Sequence, residues 1–248
     1  MNHKVNFLII GTQKGGTTAL DTYLRLHPQI EMASVKEVHF FDNEDYFKSE
    51  QVDYNLYHRF FPAFSNNQKL HGEATPIYMY WKSAAQRIWT YNPNIKLIIL
   101  LRNPISRAYS HWNMERDRNA ESLSFFEAIQ TENERCREAL PFQHRIYSYV
   151  DRGFYTKQLQ YLWNYFSTHQ ILVLKSEDLN HFPQQTLDKI CQFLNIDPLQ
   201  NIQPQQIHSR PYLKPMTSQE KNYLHDIFNS EIKKLEKILN WDCSSWLE

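Results

Sequence analysis

The stretch FLIIGTQKGGTT, which spans Phe7 to Thr18, joins an apolar run to a glycine-rich loop. We predict a buried β-strand over Val5–Ile10, because a short continuous apolar run is typical of a strand covered on both faces. Three of the five glycines of the chain lie in the loop, at positions 11, 15 and 16. Glycine tolerates left-handed backbone and close approach of other segments. The stretch therefore predicts a tight turn from a strand into a helix.

The spacing in this loop approaches that of a phosphate-binding loop. In the pattern G-x-x-x-x-G-K-[ST] the lysine follows the second glycine directly. Gly11 and Gly16 have that separation, but Thr17 takes the lysine position and the lysine lies inside the loop as Lys14 instead. Backbone N–H groups of such a turn, with those of the following helix, form a site for an anion. Lys14 adds a positive charge, and Thr17 and Thr18 add hydroxyl donors.

A second anion site is predicted after the apolar run KLIILL, Lys96–Leu101. A magnesium-dependent phosphate-transfer enzyme needs an acidic residue near the end of such a strand. The run is followed by Arg102, which binds a phosphate with two parallel hydrogen bonds and holds no metal. Ser110, two helical turns further on, is placed to bind the same phosphate. The two sites together predict anion recognition without a metal.

The alternation of apolar strands with amphipathic helices predicts an α/β fold with a central parallel sheet flanked by helices. No repeat or linker interrupts it, so we predict one domain over residues 1–248. The predicted strands are Val5–Ile10, Leu70–Ala74, Lys96–Leu101 and Ile171–Lys175, with an extended segment at Lys36–Phe41. The predicted helices are Thr18–Leu26, Asp53–Phe61, Ser83–Tyr91, Pro104 to about Arg118, Ser124 to about Cys136, Tyr155–Phe166, Pro183–Leu194 and Thr217 to about Leu239.

Composition excludes several classes of function. Lys plus Arg and Asp plus Glu are 27 each, which disfavours a nucleic-acid-binding protein because such domains are usually basic. No apolar run approaches the roughly 18 residues of a membrane-spanning helix, and no signal segment is apparent. We therefore expect a cytoplasmic protein without a membrane partner. Its three scattered cysteines indicate reduced thiols rather than a metal site.

The segment KEVHFFD, Lys36–Asp42, carries a candidate proton acceptor. Glu37 and His39 are two residues apart, so in an extended segment both side chains lie on the same side. A carboxylate beside an imidazole is a plausible general base.

These segments resemble those of sulfotransferases that use 3′-phosphoadenosine 5′-phosphosulfate (PAPS). The resemblance covers nearly the whole chain and depends on the order and spacing of its motifs. The matching segments are GTQKGGTT (Gly11–Thr18), KEVHFFD, GEATPIYMY (Gly72–Tyr80), LLRNPISRAYSHW (Leu100–Trp112), RGFYTKQLQYLWNYF (Arg152–Phe166) and ILVLKSEDL (Ile171–Leu179). The resemblance implies a P-loop-like sulfotransferase fold and a reaction that consumes PAPS and releases the bisphosphate PAP.

The resemblance also implies roles for single residues. The loop would bind the 5′-phosphosulfate, with Lys14 neutralising the charge that develops on the leaving group, and Arg102 with Ser110 would bind the 3′-phosphate. Glu37 would be the base, assisted by His39. The remaining implied residues are Gly15, Gly16, Thr17 and Thr18 in the loop, Arg210 over the phosphates of the cofactor, and Asp42 and Tyr78 facing the acceptor.

One departure bears on the acceptor. Ala74 stands where heparan-type enzymes of this family have a lysine near the acidic sugar. We therefore predict a small-molecule acceptor, a specialised metabolite, sulfated on a hydroxyl, amine or guanidine. A polysaccharide or glycolipid acceptor is the alternative. A metal-dependent nucleotide kinase and a non-catalytic nucleotide-binding module are the other functions considered.

Overall fold

The computed structural model describes residues 4–62, 69–200, 202, 212 and 214–247. Five strands form one sheet: β1 Phe7–Gly11, β2 Ile30–Met32, β3 Leu70–Ala74, β4 Lys96–Leu101 and β5 Ile171–Lys175. The α-helices of the described residues are α1 Thr17–Arg25, α2 Asn55–His58, α3 Lys82–Tyr91, α4 Pro104–Asp117, α5 Phe125–Gln130, α6 Glu132–Cys136, α7 Tyr155–Trp163, α8 Ser176–His181, α9 Pro183–Leu194 and α10 Ser218–Leu239.

The residues cluster into two compact units. The first comprises Met1–Leu101 and Leu162–Ile207, and the second comprises Arg102–Tyr161 and His208–Glu248. The whole sheet lies in the first unit. The single domain predicted over residues 1–248 stays a prediction.

The sheet is parallel throughout, in the order β2-β3-β1-β4-β5, which confirms the predicted α/β architecture. Its central strand β1 is fully buried, as the continuous apolar run indicated. Phe7 of β1 lies opposite Gly72 of β3, and a β-carbon at Gly72 would come within 2.2 Å of the Phe7 ring. Glycine is therefore required in β3 so that the ring can pack over the neighbouring strand.

The side chains of β1 and of α1 share one hydrophobic cluster with those of α9. It includes Ile9, Leu20, Leu24, Ile98, Leu187 and Ile190, all of them fully buried. This packing holds α1 against the sheet and so fixes the direction in which the β1–α1 loop leaves it.

In the second unit, helix caps confirm the start signals read from the sequence. Asn103 caps α4, with its side-chain oxygen accepting from the N–H of Ile105 at 2.9 Å, and Pro104 occupies the first turn. Ser124 and Thr217, where two predicted helices begin, both form capping boxes with the glutamate three residues further on. The single helix predicted from Ser124 to about Cys136 is two helices in the structure, since α5 ends at Gln130 and α6 begins at Glu132.

Two further sequence predictions were wrong, and two short elements were missed. Lys36–Phe41 forms no strand, because two of its residues adopt left-handed backbone angles that no regular strand accommodates. The three-residue β2 and the six-residue α8 were missed, since both are too short to show a period. The helix predicted over Asp53–Phe61 is confined to the four residues of α2.

Candidate functional site

The glycine-rich loop is pressed against the ends of the neighbouring strands. The N–H of Thr12 donates to the carbonyl of Leu100 in β4 at 2.8 Å, and the N–H of Gly15 donates to the carbonyl of Thr12 at 2.8 Å. A β-carbon on Gly15 would come within 2.6 Å of the Leu100 carbonyl oxygen, and one on Gly11 within 2.6 Å of the Met79 sulfur. Side chains at these two positions would push the loop off the sheet.

The loop ends at the amino terminus of α1, where the backbone is arranged for an anion. Lys14 and Gly16 have left-handed φ angles of 70° and 89°, and such turns direct successive N–H groups to one side. Among the described residues no side chain caps α1, and its first turn holds no acidic residue. The first N–H groups of a helix lack partners within the helix. Thr17 is buried and Thr18 is exposed at this terminus.

The segment Lys36–Asp42, here called the strap, carries a chain of alternating charges. Lys36 Nζ lies 2.7 Å from one oxygen of Glu37, whose other oxygen lies 3.5 Å from His39 Nε2. His39 Nδ1 lies 3.0 Å from the carboxylate of Asp42, which is fully buried. Glu37 and His39 therefore meet as predicted, but through left-handed backbone rather than through an extended segment.

The charges of the strap shift the pKa values of its members. Burial alone would raise the pKa of Glu37, but the hydrogen bond to His39 and the charge of Lys36 outweigh it and hold the pKa at about 2. Hydrogen bonds to Asp42 and to Glu37 raise the pKa of His39 to about 9 against the effect of burial. At neutral pH, Glu37 is therefore ionised, as a proton acceptor must be, but a pKa this low makes it a weak base while His39, an imidazolium, stays bonded to it.

Unusual backbone angles occur at Lys14, Glu37 and His39, which are also the predicted catalytic residues. Among the described residues, six other than glycine have positive φ, and three of them are asparagines at or just past helix ends, where this conformation costs little. The other three are Lys14, Glu37 and His39, with φ angles of 70°, 62° and 54°. Lysine, glutamate and histidine hold this conformation at a cost that the surrounding structure must offset, and such residues concentrate at functional sites.

Two buried groups lie next to the strap: Tyr78, which belongs to the predicted set, and Glu73, which extends it. Glu73, the fourth residue of β3, is a fully buried carboxylate, and burial raises its pKa to about 7. Tyr78, predicted to face the acceptor, is only 1% exposed, and its hydroxyl lies 3.1 Å from Glu73. Sequence reasoning missed Glu73, although a glutamate inside a predicted strand of a parallel sheet is the signal that reveals it. Acceptor contact by Tyr78 stays a prediction.

The second unit holds the other predicted phosphate-binding residues. Arg102 directly precedes the cap of α4, and its carbonyl accepts a hydrogen bond from the Tyr155 hydroxyl at 2.8 Å. Ser110 lies in the middle of α4 and is nearly buried. Arg107, between them, is fully buried and donates to the Tyr149 carbonyl, so it serves the interior of this unit. Arg210 lies outside the described residues.

Comparison with known proteins places these segments in one family. The model of the sulfotransferase domain matches residues 4–241. Membrane-associated sulfotransferase kil1 of Dictyostelium discoideum is 27% identical over 96% of this chain and 65% of its own length. Human heparan sulfate glucosamine 3-O-sulfotransferase 5 is 32% identical over 77% of this chain and 53% of its own length. The chain thus spans less than two thirds of the length of these relatives.

Solved structures of sulfotransferases are also similar to this chain. A sulfotransferase from Alicyclobacillus acidocaldarius superposes with a TM-score of 0.84 and 28% identity, over 99% of this chain and 100% of the other. The sulfotransferase domain from the curacin biosynthetic pathway, at 14% identity and a TM-score of 0.53 over 79% of this chain and 76% of the other, shares the fold. These similarities confirm the predicted fold class.

The charge chain of the strap predicts a pH-dependent contribution to stability. Because folding raises the pKa of His39 from 6.5 to about 9, its contribution is complete below the unfolded pKa and is lost as pH rises through about 9. The contribution of Glu37, whose pKa is lowered, is lost only as pH falls toward about 2. We expect His39→Gln to lower the melting temperature by about 2–4 °C near pH 6 and by less near pH 10.

Thermal unfolding followed by circular dichroism across this pH range measures the difference. His169→Gln removes an exposed histidine of the first unit and serves as the matched control, with little effect expected at any pH. A melting-temperature difference for His39→Gln that is the same at both ends of the range would contradict the assignment of charge.

Proposed function

The chain belongs to the sulfotransferase domain family, and from this premise we propose that it transfers a sulfuryl group from PAPS to an acceptor and releases PAP. The observation that carries the proposal is the pairing of an anion-binding loop with a strap that bears a carboxylate. The loop follows β1, and the N–H of Glu37 donates to the carbonyl of Ala74 at the end of the neighbouring β3, at 2.9 Å. Both lie at the carboxyl ends of parallel strands, where ligands bind in such sheets.

The loop fits the phosphosulfate end of PAPS. Gly15 leaves no space for a side chain against Leu100 of β4, and Gly11 leaves none against Met79. We propose that the backbone N–H groups of Gly16, Thr17 and Thr18, at the uncapped start of α1, bind the anion. Lys14 supplies the positive charge. In the second unit, Arg102 and Ser110 are proposed to bind phosphate oxygens, and Arg210 is proposed for the same task from the family resemblance.

The proposed transfer is in line. The acceptor oxygen or nitrogen forms a bond to sulfur while the bond from sulfur to the bridging oxygen of the 5′-phosphate breaks. Glu37 receives the proton of the acceptor, and His39, held by Asp42, orients the Glu37 carboxylate. Lys14 stabilises the negative charge that develops on the bridging oxygen, so catalysis consists largely of positioning and electrostatics.

Two acceptor classes are proposed. A small molecule is the first, because Ala74, at the position of a family lysine, is buried in the core and supplies no charge for an acidic sugar. A polysaccharide is the second, and it is favoured by relatives whose names specify heparan sulfate. A cytoplasmic location stays a prediction. No helix of the described residues has both the length and the apolar character needed to cross a bilayer.

Incubation with radiolabelled PAPS tests both classes at once. One reaction receives a desulfated heparan-type polysaccharide and another receives a small-metabolite extract, and filtration then separates large from small products. Label retained by the filter supports the polysaccharide, and a labelled compound in the filtrate that chromatography separates from PAPS and inorganic sulfate supports the small acceptor. If PAP is released but neither reaction contains a labelled product, or if no PAP is released, the result contradicts the proposed transfer.

A metal chelator separates this proposal from a magnesium-dependent kinase. In the part of the chain that the structure covers, no three His, Cys, Asp or Glu side chains are arranged to hold a metal ion. Metal-free transfer stays a prediction, and activity that disappears with chelator and returns with magnesium would favour the kinase. Binding of PAP without any turnover would favour a non-catalytic module.

Lys14→Ala is expected to lower kcat by about 10²–10³-fold or more, because it removes the charge opposite the leaving group. The fold is expected to remain intact, with an unchanged far-ultraviolet circular dichroism spectrum. Lys189→Ala, which removes an exposed lysine of the same unit, is the matched control and should leave kcat unchanged. Near-normal turnover of Lys14→Ala would remove this residue from the mechanism.

Glu37→Gln is expected to lower kcat by about 10²–10⁴-fold, because glutamine keeps the shape of the side chain but accepts no proton. Binding of PAP, measured by calorimetry, should change little. The control is Glu50→Gln at an exposed position of the same unit. Retention of activity by Glu37→Gln would exclude Glu37 as the base.

A further inference from the structure

The hydroxyl of Tyr78 connects the strap to the strand beneath it. It accepts a hydrogen bond from the N–H of Phe40 at 3.0 Å and lies 3.4 Å from the N–H of Phe41. These two residues stand between His39 and Asp42 in the sequence. The positions of both members of the imidazolium–carboxylate pair therefore depend on one buried phenol.

Glu73 sets the direction of that phenol. Its carboxylate lies 3.1 Å from the Tyr78 hydroxyl, 2.9 Å from that of Tyr57 and 2.6 Å from that of Thr75. The N–H of Phe40 can only donate to the Tyr78 oxygen, so the Tyr78 proton points away from the strap toward Glu73, whose ionised carboxylate accepts it. The carboxylate is fully buried, so water does not compete for these bonds.

Aromatic packing supports the same arrangement from the sides. The Phe40 ring packs on Tyr57 at 5.0 Å between centroids, and the Phe41 ring packs edge-on against Tyr57 and Tyr78 at 5.0 and 5.6 Å. Arg87 donates to the Phe41 carbonyl at 3.0 Å. The middle of the strap is thereby anchored in the interior, while Glu37 and His39 keep 32% and 44% of their side chains exposed.

We propose that Tyr78, oriented by Glu73, is the positioning residue that holds His39 and Asp42 in the geometry needed to orient Glu37. This proposal rests on the proposed sulfuryl transfer, since the strap matters for rate only if Glu37 takes a proton. The hydroxyl of Tyr78 acts through backbone N–H groups. In sulfuryl transfer a displacement of the base by about 1 Å is enough to slow turnover about 10²-fold.

Tyr57 offers a matched comparison. Its hydroxyl donates to the same oxygen of Glu73, and its ring is equally buried, yet its hydroxyl makes none of the strap contacts that Tyr78 makes. Removing either hydroxyl costs Glu73 one hydrogen bond. Only the loss from Tyr78 also releases the Phe40 N–H, so the two variants separate positioning from general stability.

The experiment compares Tyr78→Phe with Tyr57→Phe by three measurements. For Tyr78→Phe we expect kcat to fall by about 10–10²-fold with an unchanged KM for PAPS. Amide hydrogen exchange in the peptide that contains Phe40 should become about tenfold faster. The pKa of His39 should be lower than in the wild-type protein. Nuclear magnetic resonance follows the His39 titration, with His39→Gln used for assignment. Glu37 and Asp42 contact the imidazole, Lys36 is paired with Glu37, and Glu73 lies beneath the strap, so these groups set the titration. Tyr57→Phe should leave all three measurements near the wild-type values.

Every outcome of this experiment either supports or contradicts the positioning role of Tyr78. Unchanged exchange and an unchanged His39 titration in Tyr78→Phe would overturn the proposal, as would a change confined to the KM of the acceptor, which would instead indicate direct contact. If the wild-type protein transfers no sulfuryl group, the proposed function fails, while exchange and titration still test positioning. If Tyr78→Phe does not fold, Glu73→Gln replaces it, and unchanged exchange at Phe40 in that variant would overturn the proposal.

Discussion

Backbone hydrogen bonds hold the carboxyl end of β1 from both sides, and the candidate site depends on them. The carbonyls of Ile9 and Ile10 accept from the N–H groups of Thr75 and Met79, and the N–H of Thr12 donates to Leu100. These groups are buried, so leaving one unpaired would cost about 1–3 kcal/mol. The loop that carries Lys14 therefore leaves the sheet in one direction, and both neighbouring strands determine that direction.

The strap depends on the sheet in a different way. One backbone bond ties Glu37 to the end of β3, and a phenol and two phenylalanine rings anchor its middle. Its charged side chains pair with one another in an alternating series that runs from the half-exposed Glu37 and His39 to the buried carboxylate of Asp42. The imidazolium is stable between two carboxylates because both bond to it, which lowers the pKa of Glu37 and raises that of His39. A buried interior thus supports a charged edge.

Much of the fold was predictable because β1, β3 and β4, at the centre of the sheet, are buried almost throughout. Leu70–Ala74, Lys96–Leu101 and Ile171–Lys175 have the bounds that their sequence pattern indicated. Helix caps were equally readable, since Asn103 and Ser124 bond to their own helices. The extended reading of Lys36–Phe41 failed because its conformation is imposed by contacts with β3 and Tyr78, which lie about 40 residues away in the sequence.

The sequence by itself determined the glycine-rich loop, the parallel sheet and the family, because these follow from local composition and from the spacing of motifs along the chain. It also indicated Glu37 and His39 as a pair of candidate catalytic residues. Only the tertiary structure decided how that pair is charged and held. The burial of Asp42 and Glu73 and the direction of the Tyr78 hydroxyl come from segments far apart in the chain, and no local pattern encodes an electrostatic environment that exists only after packing.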